Sequence, residues 1–289
     1  MTELAEPNSA TLRERVDAYY WHHSIDLGNG VVTKGATSLD LTNRIAASLF
    51  DGIDLNGKSL LDIGAWNGAY SFEAKRRGCK RVLASDKFCW THPEIKGRHT
   101  FDLALEALGL DVETLEIDVP DIAPASVGVF DAVLFSGVFY HLINPVHLTR
   151  QISACARHLL VLETHQDLLD SDRPGMIFYP GRGLAHDDTN WWGPNPQAVY
   201  EILREIGFTR IFYQDSPQYE DASTRDFRKR GTYYAFRDDQ SVELFKAGHS
   251  NWLDLEVASV RAHLFAPLGW RAKVNAKRAL RFMHRLIRK

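Results

Sequence analysis

Apolar positions change period several times along the chain, and each change marks an element. Residues 11–21 carry a helical pattern behind a polar start. Residues 25–35, IDLGNGVVTKG, are glycine-rich and predict a hairpin or loop. Ser38 is placed to cap a helix with Leu41, Ile45 and Leu49 on one face. From there the rhythm becomes short apolar runs alternating with amphipathic ones. Strands are predicted over 59–64, 81–86, 112–118, 130–137, 159–164, 208–214 and 231–238. Helices are predicted over 69–78, 101–109, 144–158 and 194–207. Such alternation implies a mostly parallel sheet covered on both faces. The last two strands have no helix between them and are expected as an antiparallel pair at one edge. The predicted fold is therefore α/β and Rossmann-like, a seven-stranded, mostly parallel sheet with an antiparallel edge strand. It carries an N-terminal helical arm (1–50) and a helical extension (240–289) around a central domain (51–239).

Composition adds exclusions. The chain has 289 residues and three cysteines, Cys79, Cys89 and Cys155, with no Cys-x-x-Cys pair, which argues against a disulfide framework or a cysteine zinc site. The polar N-terminus does not read as a signal peptide, and no apolar run approaches a membrane span, so a cytoplasmic setting is expected. The formal net charge is -3, but it is unevenly spread. No acid follows Glu256, whereas Arg261, Arg271, Lys273, Lys277, Arg278, Arg281, Arg285, Arg288 and Lys289 do. Val274, Leu280, Met283 and Ile287 give this tail an apolar stripe. A solvated helix is its default reading, contact with an anionic membrane surface or glycolipid the next, and RNA the third.

The sharpest chemistry lies in LLDIGAWNGAYSFEA, residues 60–74. A strand ends at Asp62, turns through Gly64, Ala65, Asn67 and Gly68, and enters a helix. A nicotinamide fingerprint has Gly-x-Gly-x-x-Gly around a pyrophosphate. Here the spacing is Gly-x-x-x-Gly, and an acid stands two residues before the first glycine. That carboxylate suits a ligand bearing an amino-acid tail rather than a pyrophosphate. Asp86, followed by Lys87, ends the second strand where an acid accepts ribose hydroxyls. Asp118 ends the third and could accept from an adenine amine. Three strand-end acids and the glycine turn would share the carboxyl edge of the sheet, where open α/β sheets bind ligands.

At these residues the chain resembles class I S-adenosylmethionine-dependent methyltransferases over about residues 58–238. More narrowly it resembles the tRNA wobble-uridine (mo5U34) methyltransferase-like group, through WHHSIDLGNGVVTKG (21–35), LLDIGAWNGAYSFEAKRRG (60–78), FDAVLFSGVFYHLINP (130–145) and LVLETH (160–165). The resemblance implies S-adenosylmethionine as cofactor and S-adenosylhomocysteine as product. It places Asp62, Gly64 and Gly68 at the methionine part, Asp86 at ribose and Asp118 near adenine, with Phe135, Ser136, Gly137 and Val138 lining the pocket. Two departures stand out. Trp66 replaces the family's middle glycine. The tRNA enzyme of the group binds a carboxylated cofactor through an upstream lysine, whereas the first lysine here is Lys34.

Methyl transfer is an in-line displacement that needs alignment and, for a hydroxyl acceptor, a general base. Candidates for the base are His141 after the fourth strand, His165 after the fifth, His23 in the arm, and Asp188. The segment 186–195, HDDTNWWGPN, places carboxylates beside Trp191 and Trp192, as a sugar or planar polar ligand would require. Tyr179 and Arg182 in the preceding glycine- and proline-rich stretch complete a candidate acceptor loop. His186, Asp187 and Asp188 are adjacent, and adjacent residues rarely face one metal, so no metal site is expected. The reading that leads is O-methylation of a small polar acceptor, a sugar or natural-product hydroxyl. Alternatives are a tRNA wobble-uridine modifier, a non-catalytic nucleoside-binding protein on the same fold and, least favoured by the glycine spacing, a nicotinamide-dependent oxidoreductase. The acceptor atom and the oligomeric state are left open.

Overall fold

The computed structural model describes residues 11–217 and 230–256. The basic tail after Glu256, with its expected apolar stripe and membrane or RNA contacts, lies outside the described residues, as does the polar stretch 218–229.

The predicted alternation is present. Strands β1 (Trp21–His23), β2 (Gly35–Thr37), β3 (Ser59–Ile63), β4 (Arg81–Asp86), β5 (Glu113–Glu116), β6 (Phe130–Ser136), β7 (Ala156–His165), β8 (Met176–Phe178), β9 (Trp192–Pro194), β10 (Arg210–Asp215), β11 (Arg230–Phe236) and β12 (Leu253–Asp254) alternate with helices. These are α1 (Leu12–Asp17), α2 (Leu39–Phe50), α3 (Ala69–Arg76), α4 (Phe88–Thr91), α5 (Gly97–Leu108), α6 (Pro124–Val127), α7 (Pro145–Ser153), α8 (Pro196–Glu205) and α9 (Asp239–Leu244).

The main sheet has the order β12-β10-β11-β7-β6-β3-β4-β5. Its centre is parallel, and β11 runs antiparallel to both β7 and β10. The antiparallel strand is thus inserted one place inside the edge, and β12 adds an eighth strand to the seven expected. The central strands are apolar on both sides because both faces are covered. Leu60 packs with α2, α3 and α5 on one face, while its neighbour Leu61 packs with α7 and α8 on the other.

Three boundaries differ from expectation for local reasons. The first helix ends at Asp17, and Trp21–His23 pairs in parallel with Gly35–Thr37 instead of continuing it. The helix expected to reach residue 158 stops at Ser153, and β7 starts at Ala156, because Ala156 pairs with Phe130. After α9 the chain does not stay helical. Trp252 stacks on Tyr234 with ring centroids 3.9 Å apart, and Leu253 pairs with Tyr213. Among the described residues no helix is long and apolar enough to cross a membrane.

Candidate active site

Every parallel strand of the sheet ends at one edge, and β11, running the other way, begins there, with Arg230 opposite His165. This edge collects the predicted residues. The β3–α3 turn needs left-handed backbone at Gly64 (φ 78°) and Gly68 (φ 85°). A Cβ on Gly64 would stand 2.6 Å from the Val138 side chain, and one on Gly68 would stand 2.5 Å from Phe72, so both positions exclude larger residues by contact as well as by φ. Trp66 adopts φ 46° without being glycine. Its ring stacks on His22 at 4.0 Å, and its carbonyl accepts from the Trp90 indole. Its own indole nitrogen is buried without an acceptor among the described residues.

Asn67 is fully buried and uses its amide to hold the arm. Its Oδ1 accepts from the His22 and His23 amides at 2.8 and 3.3 Å, and its Nδ2 donates to Thr100. The arm is thereby fastened over the glycine turn. His23 lies buried between Trp66 and Tyr70 with no partner for its Nδ1 among the described residues, and burial pushes it well below the ordinary histidine range.

Asp62 is buried, and its Oδ2 accepts from the Ser71 hydroxyl at 2.5 Å. Burial raises its carboxyl to about 7, against the lowering effect of that bond and with help from the nearby Asp86 charge. Asp86 accepts from the Trp66 and Cys89 amides at 3.0 and 2.9 Å, and burial raises it too. Neither acid has an ion-pair partner among the described residues. Lys87 turns to Asp118 instead, 3.4 Å away, both half-exposed. Asp118 also caps the short turn after it.

At the other end of the edge, Ser136 donates to Glu163 at 3.3 Å, and the Gly137 amide donates to the Glu163 carbonyl. Phe135 is fully buried and packs in the apolar layer toward α7 and α8, supplying the floor of the site rather than a side chain facing it. Glu163 and Arg230 form a two-pronged pair at 2.6 and 2.8 Å, and the guanidinium lies over the Tyr140 ring.

His141 is held by Thr189, and burial lowers it below the ordinary histidine range. His165 is buried at the end of β7, and its ring faces those of Tyr140 and Tyr179 edge-on at 6.5 and 6.1 Å. Tyr179 donates to Asp167. Trp191 and Trp192 flank the exposed Phe178, their rings 6.1 and 5.3 Å from it, on the β8–β9 ribbon. Arg182 and Asp188 are exposed in the loop between these strands, where Arg182 braces the carbonyl of His186. The structure therefore brings His141, His165, Tyr179 and the tryptophan pair to one side of the edge, and leaves Asp188 and Arg182 at the surface of the loop. No group of three or more His, Cys, Asp or Glu residues that could hold a metal is present among the described residues.

Sequence reasoning did not assign Glu163, Arg230, Tyr140 or Thr189. A lone acid inside the apolar run LLVLETH was the signal available for Glu163. Arg230 is separated from it by 67 positions, and nothing local announces the pair.

The chemistry of the two acids tests the cofactor. A nicotinamide dinucleotide would add a doubly charged pyrophosphate to a crevice that already buries two unpaired carboxyls. A ligand carrying an ammonium, a sulfonium and ribose hydroxyls supplies the partners both acids lack. A methyltransferase domain family matches residues 36–212. The chain belongs to that family. Its cofactor is S-adenosylmethionine, with Asp62 and the glycine turn placed for the amino-acid end and Asp86 for the ribose. The chain is 28% identical over 161 residues to the tRNA U34 carboxymethyltransferase of Trichlorobacter lovleyi, covering 54% of this chain and 46% of the relative. It is 26% identical over 202 residues to the protein of the same name from Desulfotalea psychrophila, covering 68% and 60%. The chain spans about half the length of the curated relatives it matches. Among solved structures, the N-terminal domain of EvdMO1, crystallised in the presence of SAH and D-fucose, superposes with a TM-score of 0.51 at 20% identity, over 78% of this chain and 94% of that one. An S-adenosylmethionine-dependent methyltransferase from Listeria monocytogenes, described as putative in its own title, gives 0.52 at 13%, over 68% and 99%. At these identities the likeness is one of fold.

Proposed function

We propose that this methyltransferase transfers the methyl group to a hydroxyl of a small, neutral, polar acceptor such as a sugar or a hydroxylated natural product. The observation that supports this most is the character of the acceptor side: rings with polar tips, and a cation already compensated. Tyr140, His165 and Tyr179 present aromatic faces, and the Phe178, Trp191 and Trp192 platform continues them. Arg230, the cation lying over Tyr140, is matched by Glu163 and brings no excess positive charge to attract a phosphate. Rings that stack, with hydroxyls and imidazoles that hydrogen-bond, suit a polyol or a phenol.

S-adenosylmethionine supplies an activated methyl group on a sulfonium. What the chain's own residues add is alignment and a proton acceptor. His141 serves as that acceptor. It is held neutral by burial, the state a base needs. His165, next along the wall, orients the acceptor with Tyr179.

A second reading, modification of the tRNA wobble uridine, is favoured by the printed names of the relatives. One experiment separates the two. Purified protein with radiolabelled S-adenosylmethionine is offered a panel of sugars and phenols beside tRNA lacking the U34 modification. Label in a small hydroxylated acceptor, with a His141→Gln variant slowed by about 10²- to 10⁴-fold in kcat at unchanged cofactor affinity, is the expected outcome. Label in the tRNA, with binding that weakens steeply as salt rises, would replace this reading by the second. Cofactor binding without turnover on any acceptor would point to a nucleoside-binding protein on the same fold.

A further inference from the structure

The loop between β8 and β9 does more than carry aromatic rings. It reaches back to the short turn that follows β6. The Trp191 amide donates to the Tyr140 carbonyl at 2.9 Å, and Thr189 meets the next residue, His141. His141 Nδ1 lies 3.0 Å from both the carbonyl oxygen and the hydroxyl of Thr189. The Thr189 hydroxyl in turn lies 2.7 Å from Asp187 Oδ1, which also accepts the Thr189 amide at 2.8 Å.

The proton count is decisive. A carbonyl can only accept. The carboxylate of Asp187 can only accept, so the single proton of the Thr189 hydroxyl points to it. Both Thr189 oxygens then offer lone pairs to Nδ1, and Nδ1 must carry the hydrogen. The lone pair of His141 is left on Nε2.

We propose that Thr189 and Asp187 are positioning residues that lock His141 in its Nδ1–H tautomer, making Nε2 the proton-accepting atom, and that the β8–β9 loop is the element delivering this lock. The inference rests on the reading of His141 as the base and adds the atom that acts and the residues that hold it. A base of fixed tautomer loses no fraction of its population to the wrong protonation, and its imidazolium is stabilised by a carboxylate one hydroxyl away.

The loop is built to keep this arrangement. Ala185 and His186 both take left-handed backbone, φ 54° and 58°, which non-glycine residues adopt only when their surroundings impose it. The surroundings do: Asn190 donates to the Leu184 carbonyl, Arg182 to that of His186, and Leu184 pairs with Asp187. The charged groups acting on His141 come from two directions. Asp187 favours its protonated form, Arg230 from β11 opposes it, and the uncharged Tyr140 ring stands 4.2 Å away.

The test needs no knowledge of the acceptor. Two-bond ¹H–¹⁵N correlation spectra of histidine-labelled protein show which ring nitrogen of each histidine holds the proton, and loss of one pattern in His141→Gln assigns His141. The expected wild-type pattern is Nδ1–H. Thr189→Val keeps the carbonyl but removes the hydroxyl, and should admit a measurable share of the Nε2–H form. Thr189→Ser should restore the wild-type pattern. Asp187→Asn should move the titration of His141 to lower pH by several tenths of a unit or more. An Nε2–H pattern in the wild type, or a His141 titration unmoved by Asp187→Asn, would overturn the proposal. The base reading fails separately, if His141→Gln retains full methyl transfer while the tautomer is as expected.

Discussion

Asp62 shows how one residue serves binding at the expense of the fold. Burial without a cation lifts its carboxyl to about 7. An acid whose native pKa is raised contributes stability that is fully present below the unfolded value near 3.8 and is lost as pH rises through the native one. At pH 8 and without cofactor, the folded protein therefore holds an unfavourable buried charge. Asp62→Asn keeps the size and a hydrogen-bond partner for Ser71 but removes that charge. We expect the variant to be more stable at pH 8 by on the order of 2–4 kcal/mol, read by urea denaturation. The same variant should lose most of its affinity for S-adenosylmethionine, read by titration calorimetry. Asp62→Asn that is both less stable at pH 8 and normal in cofactor binding would refute the electrostatic role argued here. Trp66 has the opposite character: it accepts strained backbone, and its ring joins the turn to the arm through His22.

Elements differ in how much each cap must hold. Ser38 makes one cap bond, from the Leu41 amide to its hydroxyl at 3.2 Å. Asn195 is fully buried. It accepts from Ala198 at the start of α8 and from the Gly175 amide, and its Nδ2 donates to the Arg173 and Ser171 carbonyls. It fastens α8 to the entrance of the β8–β9 ribbon. Ser38→Ala should cost about 1 kcal/mol, and Asn195→Ala about 2–4 kcal/mol because several buried groups lose their partner together. Chemical denaturation of the two variants side by side checks the ratio, and equal losses would show that Asn195 is only a cap. The contrast also explains what could be read beforehand. Strands β3, β4, β6 and β7 were legible because a parallel strand covered on both faces is a continuous apolar run. Asp62, Asp86 and the glycine turn were legible because backbone geometry dictates them locally. The β8–β9 ribbon, the parallel pairing of Trp21 with Gly35 and the Glu163–Arg230 pair were not, because each depends on a partner chosen by the tertiary fold. The extension after Asp239 was misread for the same reason: Leu253 becomes a strand residue only because Tyr213 is there to pair with it.

At the scale of the whole molecule, the crevice sets groups with opposite pH responses a short distance apart. Burial and the Arg230 charge lower His22 to about 4, and His23 falls further. Histidines kept neutral in the fold contribute stability that is present above their unfolded value near 6.5 and is lost as pH falls below it. Between pH 7 and pH 5, His22 alone should cost about 2 kcal/mol. Over the same window the buried carboxyls work in reverse. Asp62 regains on the order of 2–3 kcal/mol as it is protonated, and the raised Asp86 adds to it. The arm lies over the glycine turn, so these opposed responses belong to one packed region and largely cancel. Cofactor-free wild-type protein should therefore vary little in stability between pH 7 and pH 5. Asp62→Asn removes one side of the balance, and its stability should fall on acidification. His22→Gln removes part of the other, and its stability should rise from its own, lower starting point at pH 7. Urea denaturation curves at half-unit pH steps measure all three profiles. Three parallel profiles would mean that the arm and the acids do not titrate as one buried unit. A flat wild type flanked by two slopes of opposite sign is what a carboxyl crevice closed by a histidine arm requires.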